Sequence, residues 1–249
     1  MTKEPGPPQD LCPQGVELTG PVIMTQWWKD ITFVHWRVDP QAIAHLLPVR
    51  VRPDLFDGAA WVGLIPFRMV GAGPGRGLPV PWLGSFWETN VRVYTVDVHG
   101  RRGVTFLSLE AERLLVTLGA RAVFNVPYHW ARMEGTVRPD RMRYGTTRRW
   151  PGPAGAHSRM DVQVEHPITP GPLELFLTAR FGLHTCLLGV PLWVPNAHRP
   201  WPLFRATLTS LDDQLIAAAG LPDLPRSSRP DSVLWSPGVH TAFGMPQRV

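Results

Sequence analysis

The stretch Glu88-Thr89-Asn90-Val91-Arg92-Val93-Tyr94 decides the fold, because polar and β-branched residues alternate along it. Successive side chains of a β-strand point to opposite faces of the sheet. One face then carries the acid, the amide, the guanidinium and the phenol of this stretch, and the opposite face carries its threonine and valines. Four polar groups of this kind on one strand face are either solvated or lining a pocket.

The residues that follow predict an antiparallel partner for this strand and then a helix. A turn at His99-Gly100-Arg101-Arg102-Gly103 leads into a second strand from Val104 to Leu109. The run from Leu114 to Leu118 places three leucines on one side of a helix, and Arg121 lies near the end of that helix. Pro127 ends the helix, so that a third strand can begin there.

The residues before the central strand predict two more strands and a long loop. Ile23 to Val38 is apolar and aromatic and is typical of a strand, and Asp39-Pro40 then begins a short helix. The turn Asp57-Gly58 introduces a strand from Ala59 to Met69. The Gly- and Pro-rich residues from Gly71 to Gly84 predict a loop, and loops of this length are often functional lids or disordered.

The rest of the chain predicts more strands than helices, and no internal repeat or clear linker interrupts it. The fold class is therefore α+β and mostly β, with a large and mostly antiparallel sheet that is expected to curl or close, and a few peripheral helices. We expect residues 1–20 to form a flexible tail and residues 21–249 to form a single domain.

The composition excludes several function classes. Apolar residues make up 44% of the chain and charged residues only 18%, which is typical of a globular protein. The net charge of +5 is not accompanied by a zinc-finger, helix-turn-helix or RNA-binding signature, so we expect no nucleic-acid partner. No run is apolar enough to span a membrane, and no secretory signal precedes the domain. The isolated thiols Cys12 and Cys186 fit a reducing compartment, which predicts a cytoplasmic protein.

The sequence contains none of several common catalytic and cofactor motifs. There is no G-x-S-x-G elbow, no P-loop and no dinucleotide fingerprint, so no cofactor is predicted. The nine histidines lack H-x-x-x-H and H-x-H spacing, so no metal is predicted. His35, His129 and His198 could still converge in space, although the favoured interpretation of each is a hydrogen-bonded core or surface histidine.

Six separate motifs nevertheless match a known family in the family's own order. The chain resembles the YqjF-type family of uncharacterised bacterial proteins over about residues 24 to 245. That family is similar to acetoacetate decarboxylase, which implies a curled antiparallel sheet enclosing a central ligand cavity. The motifs are His35-Trp36-Arg37-Val38-Asp39-Pro40, Asp57-Gly58-x-x-Trp61-Val62-Gly63, Pro66-Phe67, Glu88-x-Asn90-x-Arg92-x-Tyr94, Pro127-Tyr128 and His198-x-Pro200-Trp201-Pro202-Leu203.

The resemblance also implies positions for site residues. Acetoacetate decarboxylase works through a lysine Schiff base whose amine is kept neutral by its surroundings. Arg121 is carried over from the family, and Glu88 matches an active-site glutamate. Tyr128 stands in place of the Schiff-base lysine and His129 in place of its neighbouring lysine. Lys29 falls about where the decarboxylase has an active-site arginine.

A phenol cannot form an imine, so the decarboxylase mechanism is excluded at this position. We predict a small-molecule site for a carbonyl or carboxylate compound, with acid–base chemistry of the lyase, isomerase or hydratase kind; the alternative is a non-catalytic binding module. Homo-oligomers are also possible. The predicted catalytic residues are Glu88, Tyr128, His129 and Arg121, and the predicted substrate-binding residues are Asn90, Arg92, Lys29, His35, His198 and Trp201.

Two of these residues have alternative roles. Arg121 could hold the helix end to Glu88 as a structural ion pair, or it could bind a substrate carboxylate, as Arg92 could. Lys29 could replace the missing Schiff-base lysine from another strand. The favoured interpretation is a surface residue beside Trp28 or a partner of Glu88.

Overall fold

The computed structural model describes residues 6–15, 17–118, 126–222, 224 and 229–249. Strands dominate these residues, and the helices are short. The strands are β1 Val22–Val38, β2 Val51–Pro53, β3 Ala60–Pro74, β4 Phe86–Asp97, β5 Arg102–Ala111, β6 Tyr128–Val137, β7 Arg141–Trp150, β8 His157–Pro167, β9 Gly182–Leu187, β10 Val190–His198, β11 Phe204–Asp213, β12 Ser232–Gly244 and β13 Gln247–Arg248. The helices are Pro40–Ala44, Pro172–Thr178 and Leu215–Ala218, with a further helical segment at residues 114–118.

Nine of these strands close into a barrel. The order of hydrogen-bonded neighbours is β12-β1-β3-β4-β5-β6-β7-β8-β11, and β11 pairs with β12 to complete the ring. Every pairing in the ring is antiparallel except that of β5 with β6. The prediction of a mostly antiparallel sheet that closes on itself, with few helices, is confirmed.

The strands β9 and β10 close a second, smaller ring over part of the same sheet. β9 pairs with β5 through Val104 and Leu183, and β10 pairs with β12 through Asn196, Ala197 and His198. The five strands β12, β1, β3, β4 and β5 are therefore shared by both rings. One face of this shared wall is covered by β6, β7, β8 and β11, and the other face is turned toward β9 and β10.

The larger ring is filled by the main hydrophobic core. Val91 and Val93 of β4 are buried there together with Met142 of β7 and Val162 of β8. Fully burying a side chain of this size stabilises the fold by roughly 1.5–3 kcal/mol relative to leaving it exposed. A register slip of one residue would turn the polar face of β4 into this core, so burial of the valines fixes where that polar face lies.

Local signals placed most of the element boundaries correctly. The Asp39 carboxylate accepts a hydrogen bond from Gln41 N at 2.8 Å and caps the short helix, as predicted. Asp57 and Gly58 both adopt positive φ, at 50° and 74°, which is the geometry of a type I′ hairpin turn. The β4–β5 hairpin and the β6–β7 hairpin are both confirmed.

The region predicted as a loop from Gly71 to Gly84 is partly strand. β3 continues through Pro74, four residues beyond the point where the composition suggested a break. The residues after it pack back on the strand, because Val80 N donates to Ala72 O and Ala72 N donates to Gly84 O, both at 2.9 Å. The prediction missed this extension of β3 because glycine and proline tolerate a bulged strand, and here β1 supplies a partner, with Thr25 beside Gly73 and Met24 beside Pro74.

The residues of the predicted tail that the structure describes form hydrogen bonds with the rest of the chain. In the predicted tail, Gly6 N donates to Val98 O and Gln9 N donates to Gly100 O. The division into a tail and a single domain stays a prediction.

The leucines of the segment 114–118 are more than a third exposed, so this side of the helix does not belong to the core.

Candidate functional site

A cavity of about 550 Å³ lies within the smaller ring, on the face of the shared wall opposite the main core. Alternate residues of β4 form one wall, and residues of β9 and β10 form the facing wall. The polar side chains that line it belong to Gln26, Glu88, Asn90, Arg92, Tyr128, Thr178, Arg180, Asn196 and His198. The structure therefore brings together six of the predicted site residues in one cavity, counting the apolar Trp201 with Glu88, Asn90, Arg92, Tyr128 and His198.

Glu88 is the acid of this cavity. Its side chain is almost fully buried, and the Tyr128 hydroxyl donates a hydrogen bond to Glu88 Oε2 at 2.8 Å. Burial raises the pKa of Glu88 to about 8, the hydrogen bond from Tyr128 acts against this rise, and the charge of Glu110 adds to it. Within the described residues no arginine or lysine forms an ion pair with Glu88. At neutral pH the group is therefore mainly a carboxylic acid that can donate a proton.

Tyr128 is placed by the parallel pairing of β6 with β5, in which Leu109 lies beside Tyr128. Burial raises the pKa of the Tyr128 phenol well above its usual value, and the neighbouring Glu88 charge adds to the rise. The phenol is consequently neutral across the physiological range and acts as a hydrogen-bond donor toward Glu88. It cannot supply the amine that an imine requires.

His129 lies on the opposite face of β6 from Tyr128. Its Nδ1 is 3.4 Å from Ser108 Oγ and 3.8 Å from Glu110 Oε1, and it is not among the residues that line the cavity. The prediction that His129 is catalytic together with Tyr128 did not account for strand alternation, which sends neighbouring side chains to opposite faces. His129 thus belongs to the buried Glu110 cluster instead.

Arg92 provides a positive charge in the cavity wall. Its Nε and Nη2 donate to Tyr94 Oη at 3.2 and 3.0 Å, and Nη2 also donates to Leu177 O at 3.3 Å. All of these acceptors are neutral, and within the described part of the chain Arg92 forms no ion pair. A guanidinium held in this way keeps a full charge for an anionic ligand.

His35 contacts the same Tyr94 hydroxyl as Arg92 does. It is fully buried, and its Nε2 lies 2.6 Å from Tyr94 Oη, the atom that accepts from Arg92. Burial and the Arg92 charge lower the pKa of His35 well below its usual value, so the ring is neutral. His35 is absent from the cavity lining, and its predicted contact with substrate is replaced by a contact with Tyr94.

His198 and Trp201 line the far side of the cavity. His198 Nδ1 lies 2.7 Å from Arg199 O, and burial lowers the pKa of His198, which keeps it neutral. The Trp201 ring stacks on Trp28 with centroids 6.0 Å apart, and its Nε1 donates to Thr178 O at 3.1 Å. These two residues give this wall an aromatic surface with one imidazole on it.

Lys29 is not brought to the cavity. Its side chain is exposed and its Nζ lies 5.5 Å from the ring centroid of Trp27 on the outer face of β1. Asp30 has a positive φ of 51° and lies where the register between β1 and β3 shifts by one residue. Because of this irregularity, Trp28 and Ile31 both face the cavity, and Lys29 faces outward. Arg121, the remaining predicted residue, lies outside the described residues.

Arg180 is the main cavity residue that the sequence analysis missed. It is buried, its Nη1 donates to Asp54 Oδ2 at 2.5 Å, and its Nε donates to Phe176 O at 2.7 Å. Burial lowers the pKa of Arg180, and the Asp54 carboxylate acts in the opposite direction. Its position just after an apolar helix was visible in the sequence, but its partner lies 126 residues away.

Within the described residues no cluster of three or more His, Cys, Asp or Glu could hold a metal ion.

The chain is similar in sequence to a known protein family and to a curated bacterial protein. Residues 25–240 match the model of the DUF2071 family, "Uncharacterized conserved protein (COG2071)". The protein YqjF of Bacillus subtilis (strain 168), described as uncharacterized, is 33% identical over 186 residues, which cover 74% of this chain and 76% of that protein. The chain belongs to the DUF2071 family. The resemblance found from the sequence motifs is confirmed.

Solved structures of acetoacetate decarboxylase-like proteins share the fold of this DUF2071 chain. An acetoacetate decarboxylase-like enzyme from Sphingomonas wittichii RW1 aligns with a TM-score of 0.62 and 14% identity, over 91% of this chain and 92% of the other. The enduracididine biosynthesis enzyme MppR, complexed with the condensation product of pyruvate and imidazole 4-carboxaldehyde, aligns with a TM-score of 0.61 and 15% identity, over 93% and 90%. These likenesses establish the fold. Among the described residues of the DUF2071 chain, no helix is both long and apolar enough to cross a membrane.

Proposed function

We propose that the cavity binds a small carbonyl or carboxylate compound, and that Glu88 and Tyr128 carry out acid–base catalysis on it of the lyase, isomerase or hydratase kind. The observation that carries this proposal is the buried Glu88 carboxyl, with its pKa raised to about 8 and its hydrogen bond from the Tyr128 phenol. A general acid or base is most effective when its pKa lies near the operating pH. Buried acids with shifted pKa values in a cleft are candidates for catalysis for this reason.

The proton transfers can be written for an isomerisation. Glu88 in its carboxylate form removes a proton from the carbon next to the substrate carbonyl, and the resulting enolate takes the proton back at another atom. The Tyr128 hydroxyl donates to the Glu88 oxygen throughout and stabilises its charged form. For a hydration, protonated Glu88 donates to the carbonyl oxygen as water adds to the carbon, and the added water then gives one of its protons to the Glu88 carboxylate. For an elimination of water, protonated Glu88 donates to the leaving hydroxyl, and the Glu88 carboxylate then takes the proton that the neighbouring carbon loses.

Substrate binding is assigned to the remaining polar groups of the cavity. Arg92 is placed to bind a carboxylate, since its present acceptors are a phenol and a backbone carbonyl. Asn90, between Glu88 and Arg92 on the same face of β4, has a buried Oδ1 without a hydrogen-bond partner among the described residues. The complex of MppR with a pyruvate-derived product supports an oxo-acid ligand for a cavity of this fold.

An imine mechanism is not part of the proposal. The lysines of the sequence are Lys3 and Lys29, and Lys29 is exposed on the outer face of β1. Tyr128 occupies the position that the resemblance assigns to the reactive lysine. Catalysis by Glu88 and Tyr128 would therefore proceed without an imine intermediate.

The test is a panel of 2-oxo and 3-oxo acids incubated in D₂O and followed by NMR for exchange at carbon, decarboxylation and hydration. We expect the wild-type protein to accelerate exchange or hydration of at least one compound. Glu88→Gln and Tyr128→Phe should reduce that rate by about 10²- to 10⁴-fold. Lys29→Arg is the matched control and should leave the rate unchanged. Loss of activity in Lys29→Arg, or full activity in Glu88→Gln, would overturn the assignment.

The second candidate is a non-catalytic module that binds a small ligand. It is favoured by the phenol that replaces the reactive lysine and by the many apolar residues of the cavity lining. In that case the same panel would protect the protein against thermal unfolding without any change in the compounds. A Glu88→Gln variant that binds as tightly as the wild type would add to that conclusion.

A further inference from the structure

The polar side chains that β4 contributes to the cavity lie together on one part of the shared wall. The strand register places them there, because Gly63 of β3 lies beside Arg92 and Phe67 lies beside Glu88. The two charged or ionisable groups of β4 therefore stand four residues apart along the wall. Arg180 and Thr178, just after the helix Pro172–Thr178, line the cavity as well.

Beyond Glu88 the shared wall of the cavity continues with apolar side chains of β3 and β4. Along β3, the next neighbours of the wall are the pair Met69 and Phe86 and then the pair Pro74 and Met24. Seven residues of strand separate Phe67 from Pro74, which corresponds to roughly 20 Å. In the described part of the chain, the polar lining residues in register with this section are Gln26 of β1 and, across β12, Asn196 and His198 of β10. Its apolar lining comes from Met24, Met69, Val80, Leu83, Phe86 and Leu115.

The size of the cavity exceeds what a three- or four-carbon acid would occupy. A volume of about 550 Å³ lies within the range of pockets that enclose much larger organic ligands. A short oxo acid bound at Arg92 and Glu88 would leave the apolar section filled with poorly bonded water. An apolar group that displaced this water would gain binding free energy in proportion to the surface it buries.

We infer that the ligand of this cavity is amphipathic: an oxo or hydroxy acid whose polar head lies between Arg92 and Glu88 and whose medium-length alkyl or aryl tail fills the section lined by Met24, Met69 and Phe86. The assignment of the head rests on the proposed function. The assignment of the tail rests on the register of β3 and the lining residues. Leu115, with 61% of its surface exposed, marks the open end where the tail would enter.

The experiment measures the binding of straight-chain alkanoates from butanoate to decanoate, below their micelle concentrations, by calorimetry. Affinity is expected to rise by about fourfold per methylene, hence roughly 200-fold from butanoate to octanoate, and to level off when the section is full. Octanedioate, which has a charge at the tail end, should bind far more weakly than octanoate. Equal affinity for all chain lengths, or no binding of any of them at millimolar concentration, would overturn the inference.

Two variants locate the tail. Leu115→Asp places a charge on the cavity lining and should lower the ratio of octanoate to butanoate affinity at least tenfold. Leu78→Asp is the matched control, since Leu78 is 88% exposed and does not line the cavity, and it should leave the ratio unchanged. An unchanged ratio in Leu115→Asp would overturn the placement of the tail.

Failure of this inference and failure of the proposed function give different results. Chain-length-independent binding together with Glu88-dependent exchange of short oxo acids overturns the tail and leaves the catalytic proposal intact. A steep chain-length dependence without any exchange or hydration supports the amphipathic ligand and overturns the catalytic proposal.

Discussion

Two buried glutamates on neighbouring strands have contrasting surroundings. Glu88 on β4 faces the cavity, and Glu110 on β5 lies beside Thr89 and faces the other way. Glu110 Oε1 accepts from Arg148 Nη2 at 2.5 Å, from Arg148 Nε at 3.1 Å and from Ser108 Oγ at 2.6 Å. Within the described residues, the side-chain contact found for Glu88 is the Tyr128 hydroxyl. Both side chains are almost fully removed from solvent.

The difference shows that burial of an acid does not by itself indicate a functional site. Burial raises the pKa of Glu110, but the Arg148 guanidinium and the Ser108 hydroxyl act against the rise and stabilise the ionised form. Burying such an ion pair costs free energy, because both charges lose their water, and the pair mainly fixes the local structure. Within the described residues, Glu88 has a phenol instead of a cation and lines the cavity, which is consistent with the proposed exchange of its proton with a ligand. The comparison supports a structural role for Glu110 and the catalytic role that we propose for Glu88.

The largest expected effect is the loss of stability when the ion pair between Glu110 and Arg148 is broken. Arg148→Met should lower the free energy of unfolding by about 3–5 kcal/mol, because it leaves a buried carboxylate without its cation. Urea denaturation at pH 7 measures this change. The double variant Glu110→Gln with Arg148→Met should recover a large part of the loss. A loss below about 1 kcal/mol in Arg148→Met would contradict the structural role of the pair.

The next effect is the pH dependence contributed by Glu88. Its pKa is about 8 in the folded protein and near 4.5 when exposed, so between these values the folded state holds a proton that the unfolded chain has released. Stability is consequently lost as the pH rises through this window, by about 1.4 kcal/mol per pH unit from this group. Glu88→Gln removes the loss and should be about 3 kcal/mol more stable than the wild type at pH 7.

Urea denaturation at pH 5.5, 6.5 and 7.5 tests this prediction. The difference between Glu88→Gln and the wild type should grow with pH. Glu165→Gln, a change at an exposed glutamate of β8, is the control and should show a small and constant difference. A difference for Glu88→Gln that does not change with pH would show that Glu88 is ionised in the folded protein.

The smallest effects are expected from removing single hydroxyl groups, one on the cavity face of the shared wall and one on the opposite face. Tyr128→Phe should raise the pKa of Glu88 further, because the hydrogen bond that lowers it is removed. Tyr144→Phe removes a buried hydroxyl on the other face, where it donates to Asp30 O at 2.7 Å, and should leave the Glu88 titration unchanged. Each change should cost about 1 kcal/mol of stability.

Carboxyl ¹³C NMR of glutamate-labelled protein follows the Glu88 titration in both variants. If Tyr144→Phe moved the Glu88 pKa as much as Tyr128→Phe, the contact between Tyr128 and Glu88 would not be the cause. If neither variant moved it, the Tyr128 bond would be absent in solution.

The sequence by itself determined the local features and the family. Alternation along Glu88–Tyr94 gave the polar and apolar faces of β4, and Asp39 and Asp57-Gly58 marked a helix start and a hairpin turn. These predictions succeeded because the strand period, capping and turn geometry depend on neighbours a few residues apart. The motif order gave the decarboxylase-like fold and indicated that Glu88 and Tyr128 are close, which their spacing of 40 residues alone does not show.

Only the tertiary structure decided which of the predicted residues share the cavity. A bulge at Asp30 turns Lys29 outward, strand alternation sends His129 to the Glu110 cluster, and Arg180 is held by Asp54 from a distant part of the chain. Contacts of this kind depend on strand register and on the closure of two rings over one shared wall, and neither is encoded within a short window of sequence. The raised pKa of Glu88 has the same origin, since the desolvation that causes it exists only once both rings are closed.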